Sequence, residues 1–149
     1  MENSSKNLII RTIRIQSSGG VVYRRNLDNI DIVGCIRQAP YLCVLPKGTP
    51  HKKENIQQTA LREVREETGL KVKSEGFIDK IEYTFFKEEE KLTYYKTVYF
   101  FLMAVVGGGL FLHDEEFDLV KWIAKEQIRA EMSYENEVSI IEKGISMVG

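Results

Sequence analysis

The sequence predicts a mixed α/β (α+β) domain, on three observations. Runs rich in branched and aromatic residues recur on both sides of one strongly helical stretch, and short polar or Gly/Pro-containing segments separate them. At 149 residues the chain suits one domain spanning residues 1–149. Its 43% apolar and 29% charged residues are those of an ordinary folded protein.

Residues 9 to 25 alternate and then run apolar through Gly19-Gly20-Val21-Val22-Tyr23, which predicts a strand pair or one bulged strand. Residues 31 to 38 and 41 to 45 read as short strands joined by a turn at Ala39-Pro40. A loop stiffened by Pro46 and Pro50 follows, up to Lys53. Residues 55 to 68 form the clearest helix, rich in helix formers and closed by Gly69. Residues 78 to 87 and 93 to 106 predict a hairpin around the charged Glu88-Glu89-Glu90-Lys91, ended by Gly107 to Gly109. A short strand is expected at residues 119 to 123, then one or two helices with a new cap at Ser133.

Composition excludes several functions. The most apolar run, residues 97 to 106, is too short to cross a bilayer, and no leader pattern opens the chain, so a cytoplasmic protein is expected. Cys35 and Cys43 lie in separate apolar segments without a Cys/His cluster, which predicts two small buried side chains rather than a zinc site or disulfide. A net charge of -1 argues against a general nucleic-acid or membrane-surface binder. The charge is uneven, however. Residues 1 to 53 hold nine Lys/Arg and three Asp/Glu, leaving twelve and nineteen for the rest, so a folded chain could offer a polyanion cations on one side and acid-held metal ions on the other.

The stretch from Gly48 to Leu70, GTPHKKENIQQTALREVREETGL, carries the chemistry. On a helix, Glu63, Glu66 and Glu67 share an arc of roughly 100° beside the apolar arc of Ile56, Ala60, Leu61 and Val64. Carboxylates at i, i+3 and i+4 repel, and something cationic should offset that. Oxygen-only ligands suit Mg2+ or Mn2+ together with substrate phosphate. For REVREE alone, a solvated face with Arg62 and Arg65 paired to neighbouring Glu residues is the simpler explanation.

The whole span decides between them. Gly48, five residues, Glu54, seven residues, then Arg62-Glu63-Val64, Glu66-Glu67, Gly69 and Leu70 match every fixed position of the Nudix signature, so the chain is identified as resembling the Nudix hydrolases, with its box at residues 48–70. The upstream SSGGVVYRR and the lead-in LPKG resemble that family too. The resemblance implies an α/β/α sandwich with a central mixed sheet. It implies metal ligation by the Gly48 carbonyl, Glu63, Glu66 and Glu67, with Arg62 orienting Glu63, and Glu54 supporting the loop-helix geometry or a further metal. Hydrolysis of a pyrophosphate also needs a base; Glu63 is the first candidate, and Glu116 in HDEEF is a candidate distal ligand or base, with Glu115 close behind. Which of Asp114, Glu115 and Glu116 faces the site stays open.

Within the family, LPKG, IEYTFF and YYKTVYFFLM resemble the asymmetric diadenosine tetraphosphate hydrolases and their MutT-like relatives, which act on small nucleotides. Tyr83, Phe85 and Tyr95 are candidates to stack on a base, and Arg37, Lys47 and Lys96 to meet phosphates. Alternate hairpin residues turn inward, so about half of those aromatics should be core. Lys52-Lys53 replaces a common Pro-Gly, and Cys43 stands near a common Trp. The alternatives are a (deoxy)nucleoside triphosphate or ADP-sugar pyrophosphohydrolase, an RNA 5′ pyrophosphohydrolase, for which a long basic patch is missing, and a non-catalytic nucleotide-binding domain. Monomer and homodimer are both open.

Overall fold

The computed structural model describes residues 11–149. Strand β1 (Thr12–Asn26) turns into β2 (Asn29–Gln38), and β3 (Tyr41–Val44) follows the Ala39-Pro40 turn. A two-residue strand, β4 (Lys47–Gly48), lies inside the predicted loop and precedes helix α1 (Ile56–Thr68). Next come β5 (Leu70–Lys87), β6 (Leu92–Gly108) and β7 (Leu119–Ala124). The chain ends with a short α2 (Ile128–Glu131) and α3 (Glu135–Ser146).

All seven strands join one sheet of order β3-β2-β1-β6-β5, with β4 added to β1 and β7 to β2. β1 and β6 run parallel along twelve paired residues, from Thr12 opposite Thr93 to Tyr23 opposite Ala104, and the other pairings are antiparallel. The sheet is therefore mixed. Because successive strand residues face opposite sides, neighbours separate into two cores. Val21, Ile32, Phe100 and Leu102 pack with Val138, Ile140 and Ile141 of α3, whereas Val22, Val33, Phe101 and Met103 pack with Ala60 and Val64 of α1. Both faces are covered, giving the expected helix-sheet-helix sandwich. Each fully buried side chain such as Phe100 or Ile32 contributes about 1.5–3 kcal/mol through burial.

The ends of α1 follow from its sequence. Asn55 accepts a hydrogen bond from the Gln58 backbone N–H while the Gln58 side chain accepts one from Asn55 N–H, closing a capping box. Gly69 ends the helix at φ +77°, a left-handed conformation that glycine adopts without strain.

Several expectations need correction. The predicted first strand is single and continuous where described; residues 9 and 10 lie outside the described residues. β5 starts at Leu70, directly after α1, rather than at residue 78. Three register shifts, at Lys71/Val72, Ser74/Gly76 and Phe77/Asp79, break the alternation that would have revealed its first half. Ser133 does not cap α3, whose N-cap is Tyr134. Ser133 instead exchanges hydrogen bonds with Cys43: its Oγ accepts Cys43 N–H at 2.8 Å, and its own N–H donates to the Cys43 carbonyl at 2.9 Å. Cys35 and Cys43 are free and buried, as expected.

Candidate active site

The loop before α1 is drawn onto the helix by Glu54 and Arg62. Glu54 Oε1 accepts the His51 N–H at 2.7 Å and the Thr59 hydroxyl at 3.0 Å. Arg62 donates to both Glu54 oxygens, through Nε at 2.7 Å and Nη2 at 3.0 Å, and the same Nη2 reaches the Thr49 carbonyl at 2.9 Å. Its Nη1 faces Glu63 Oε2 at 3.1 Å and Glu66 Oε1 at 3.2 Å. One planar guanidinium thus holds three carboxylates and the loop. These bonds hold the Glu54 carboxyl well down, at about 2, with the Arg62 hydrogen bond the largest cause. Both Glu54 oxygens are thus occupied by loop and helix partners.

Glu63, besides meeting Arg62, and Glu67 both lie against β4. The Glu63 carboxylate lies against Gly48, where a Cβ would come within 2.1 Å of Glu63 Cδ. Glu67, only 7% exposed, accepts the Lys47 backbone N–H at 3.2 Å. Burial pushes its carboxyl up to about 8; neighbouring Glu63 adds to the rise and the Lys47 N–H opposes it. Two adjacent acids with too few donors suit a hard divalent cation. Among the described residues, no three Asp, Glu, His or Cys side chains converge on one point. Glu66 is half exposed and bonded to Arg62. The oxygen donors present therefore fit Mg2+ or Mn2+ through Glu63, Glu67 and the Gly48 backbone, with Glu66 able to join by leaving Arg62.

Gly48, Glu63 and Glu67 line a cavity of about 650 Å3. Its walls also carry Arg37, Lys47 and Lys96, so the basic first part and the acidic remainder of the chain do meet around one space. Arg37 lies over the Phe117 ring, 4.8 Å from its centroid, and its Nη2 is 2.5 Å from Glu116 Oε2. Of the three downstream acids, Glu116 lines the cavity. Asp114 supports it: the Asp114 N–H donates to the Glu66 carbonyl, and its Oδ1 accepts the Glu116 N–H. Lys96 is half-buried, and burial lowers its pKa, with Lys47 adding to the effect.

The aromatic candidates divide by strand parity. Tyr83 pairs with Lys96 across the hairpin and both line the cavity. Phe85 faces the same way but sits beyond the wall, stacked on Tyr94 at 5.2 Å and 13°. Tyr95 pairs with Thr84 on the opposite face, donates its hydroxyl to Glu82 at 2.7 Å and lies under Arg14. Neither Phe85 nor Tyr95 lines this cavity. Sequence reasoning missed Tyr134, Asn136 and Glu137, all on the cavity wall. Glu137 is 3% exposed and reads in the sequence as one more solvated acid in the first turn of a helix.

Three comparisons bear on this arrangement. The sequence model of the NUDIX domain matches residues 17–143. MutT4 of Mycobacterium tuberculosis (strain CDC 1551 / Oshkosh) is 32% identical over 143 residues, covering 89% of this chain and 55% of that protein. The chain spans about half the length of that curated relative. Among solved structures, a NUDIX hydrolase from Nitrosomonas europaea superposes with a TM-score of 0.69 at 20% identity, covering 90% of each chain. A C. elegans Ap4A hydrolase in a binary complex gives 0.68 at 21% identity, covering 89% of this chain and 96% of that one. The fold is shared with both. The chain belongs to the NUDIX domain family.

Proposed function

We propose that the chain is a Mg2+- or Mn2+-dependent enzyme that hydrolyses a pyrophosphate bond in a dinucleoside polyphosphate such as diadenosine tetraphosphate. The observation that carries this reading is the pairing of Glu63 and Glu67 beside Gly48 on the wall of a cavity that also presents Arg37, Lys47 and Lys96. A polyphosphate chain needs cations along its length and a divalent ion at the bond to be cut. The similarity to an Ap4A hydrolase fold is consistent with it.

Gly48, Glu63, Glu66 and Glu67 would hold the metal, which supplies Lewis acidity toward the pyrophosphate and toward an attacking water. Arg62 keeps Glu63 in place through its ion pair. Glu63 is the first candidate for the base that takes the water's proton, and Glu116, facing the same cavity, is the second. Tyr83 offers a face for a base, while Arg37 and Lys96 meet outer phosphates. The reading places the enzyme in the cytoplasm.

A nucleoside triphosphate, with one base, is the second reading: Tyr83 would take that base, with Tyr134 and Phe117 also on the cavity wall. Product analysis after incubation with diadenosine tetraphosphate, deoxynucleoside triphosphates, ADP-ribose and triphosphorylated RNA separates the two. Release of ATP and AMP from the first supports the dinucleotide reading, and turnover of a triphosphate alone replaces it.

A further inference from the structure

Glu137 lies on α3, across the cavity from the acids of α1, and has no assigned part in the reaction. Its carboxylate is 3% exposed, a costly place for a charge unless it is fully bonded. Oε1 accepts the Leu45 N–H at 2.9 Å, and Oε2 accepts from Lys47 Nζ at 3.3 Å. Two residues earlier in register, Cys43 is held by Ser133 through two hydrogen bonds. Residues 43, 45 and 47, alternate positions along one extended segment, are thus all fastened to Ser133 or to Glu137 in the first turn of α3. The last of them, Lys47, also gives its backbone N–H to Glu67 Oε1 at 3.2 Å and is followed directly by Gly48.

We propose that Glu137 is a positioning residue for the metal-holding acids: by gripping the Lys47 side chain it fixes the Lys47 backbone N–H and Gly48 against Glu67 and Glu63. This rests on the reading of Glu63 and Glu67 as a metal site. A partner that orients a ligand typically changes metal affinity about 10–100-fold when lost. The hydrogen-bonded link from Glu137 to Glu67 runs through Lys47, so the two residues act as one unit.

The test is direct Mn2+ binding, followed by electron paramagnetic resonance without substrate, on the wild type, Glu137→Gln, Lys47→Met and the double variant, each checked for folding by circular dichroism. Positioning predicts that both single variants bind Mn2+ about tenfold more weakly and that the double variant is no worse than either. A merely electrostatic influence predicts the opposite sign for Lys47→Met, because removing a cation favours a bound metal ion, and cancellation in the double variant. Tighter binding by Lys47→Met therefore overturns the proposal and leaves the metal site standing. No Mn2+ binding by the wild type overturns both. If Glu137→Gln does not fold, the sign of the Lys47→Met change decides alone.

Discussion

The carboxylate of Glu63 rests on Gly48 so closely that a methyl group there would lie 2.1 Å from Glu63 Cδ. Gly48→Ala must therefore displace Glu63. A misplacement of about 1 Å at a reacting centre costs on the order of 100-fold in rate. We expect that loss in kcat, with a stability change of only about 1 kcal/mol because a side-chain terminus can move. Steady-state kinetics beside a denaturant melt checks it; normal kcat would remove Glu63 from the chemistry.

Arg62 bonds Glu54, Glu63, Glu66 and the Thr49 carbonyl from one guanidinium. A lysine is a point charge and cannot span these partners. Arg62→Lys should lower activity about 10–100-fold and weaken Mn2+ binding alongside it. Arg62→Ala should also cost about 1–2 kcal/mol, as Glu54 and Glu63 lose their shared cation in a partly buried setting. Equal activity of the Lys variant and wild type would show that the fork is dispensable.

Glu67 gives a pH signature. Its folded pKa, about 8, lies above its ordinary value of 4.5, so its contribution to stability is fully present below about 4.5 and is lost as pH rises through about 8. The chelated protein should therefore lose melting temperature between those pH values, and Mg2+ should restore more at pH 8 than at pH 5. Glu67→Gln should flatten this slope, keep the fold and lose at least about 100-fold in activity. Glu54 has the opposite sign: lowered to about 2, it stabilises above 4.5 and that contribution is lost as pH falls through about 2. Melting scans across pH with chelator or Mg2+ test both, and a flat wild-type profile above pH 5 would contradict the Glu67 assignment.

Strand parity separates two neighbours. Lys96 faces the cavity and Tyr95 faces away, toward Glu82 and Arg14. Lys96→Met should raise KM about tenfold for a polyphosphate substrate, with kcat little changed, since a charge-assisted contact to phosphate is lost. Tyr95→Phe should alter neither constant. A KM effect of Tyr95→Phe equal to that of Lys96→Met would move the substrate to the other face of the hairpin.

The parts legible in the sequence were those governed by local chemistry. The helix announces its end at Gly69, and the spacing of Glu63, Glu66 and Glu67 follows from helical geometry, whereas Asn55, read as helical, proves to be its N-cap. The parts that were not legible depend on partners far along the chain. Register shifts hide the first half of β5, and which face of β6 Tyr95 takes depends on how the sheet packs, since alternation alone tells only that it opposes Lys96. Glu137 looks like a surface acid until α3 docks on the segment carrying Leu45 and Lys47, ninety and more residues earlier. Similarly, nothing local distinguishes Glu116 from Glu115; its direction comes from Asp114 bonding back to α1.

The most direct test of the central claim is a Mg2+ titration of pyrophosphate cleavage by the purified protein, with products separated by chromatography and chelator added midway. The account predicts cleavage that appears with Mg2+, stops on chelation, resumes when Mg2+ is restored and is abolished by Glu67→Gln. Nucleotide binding without any metal-dependent product, or cleavage that persists in chelator, would contradict it.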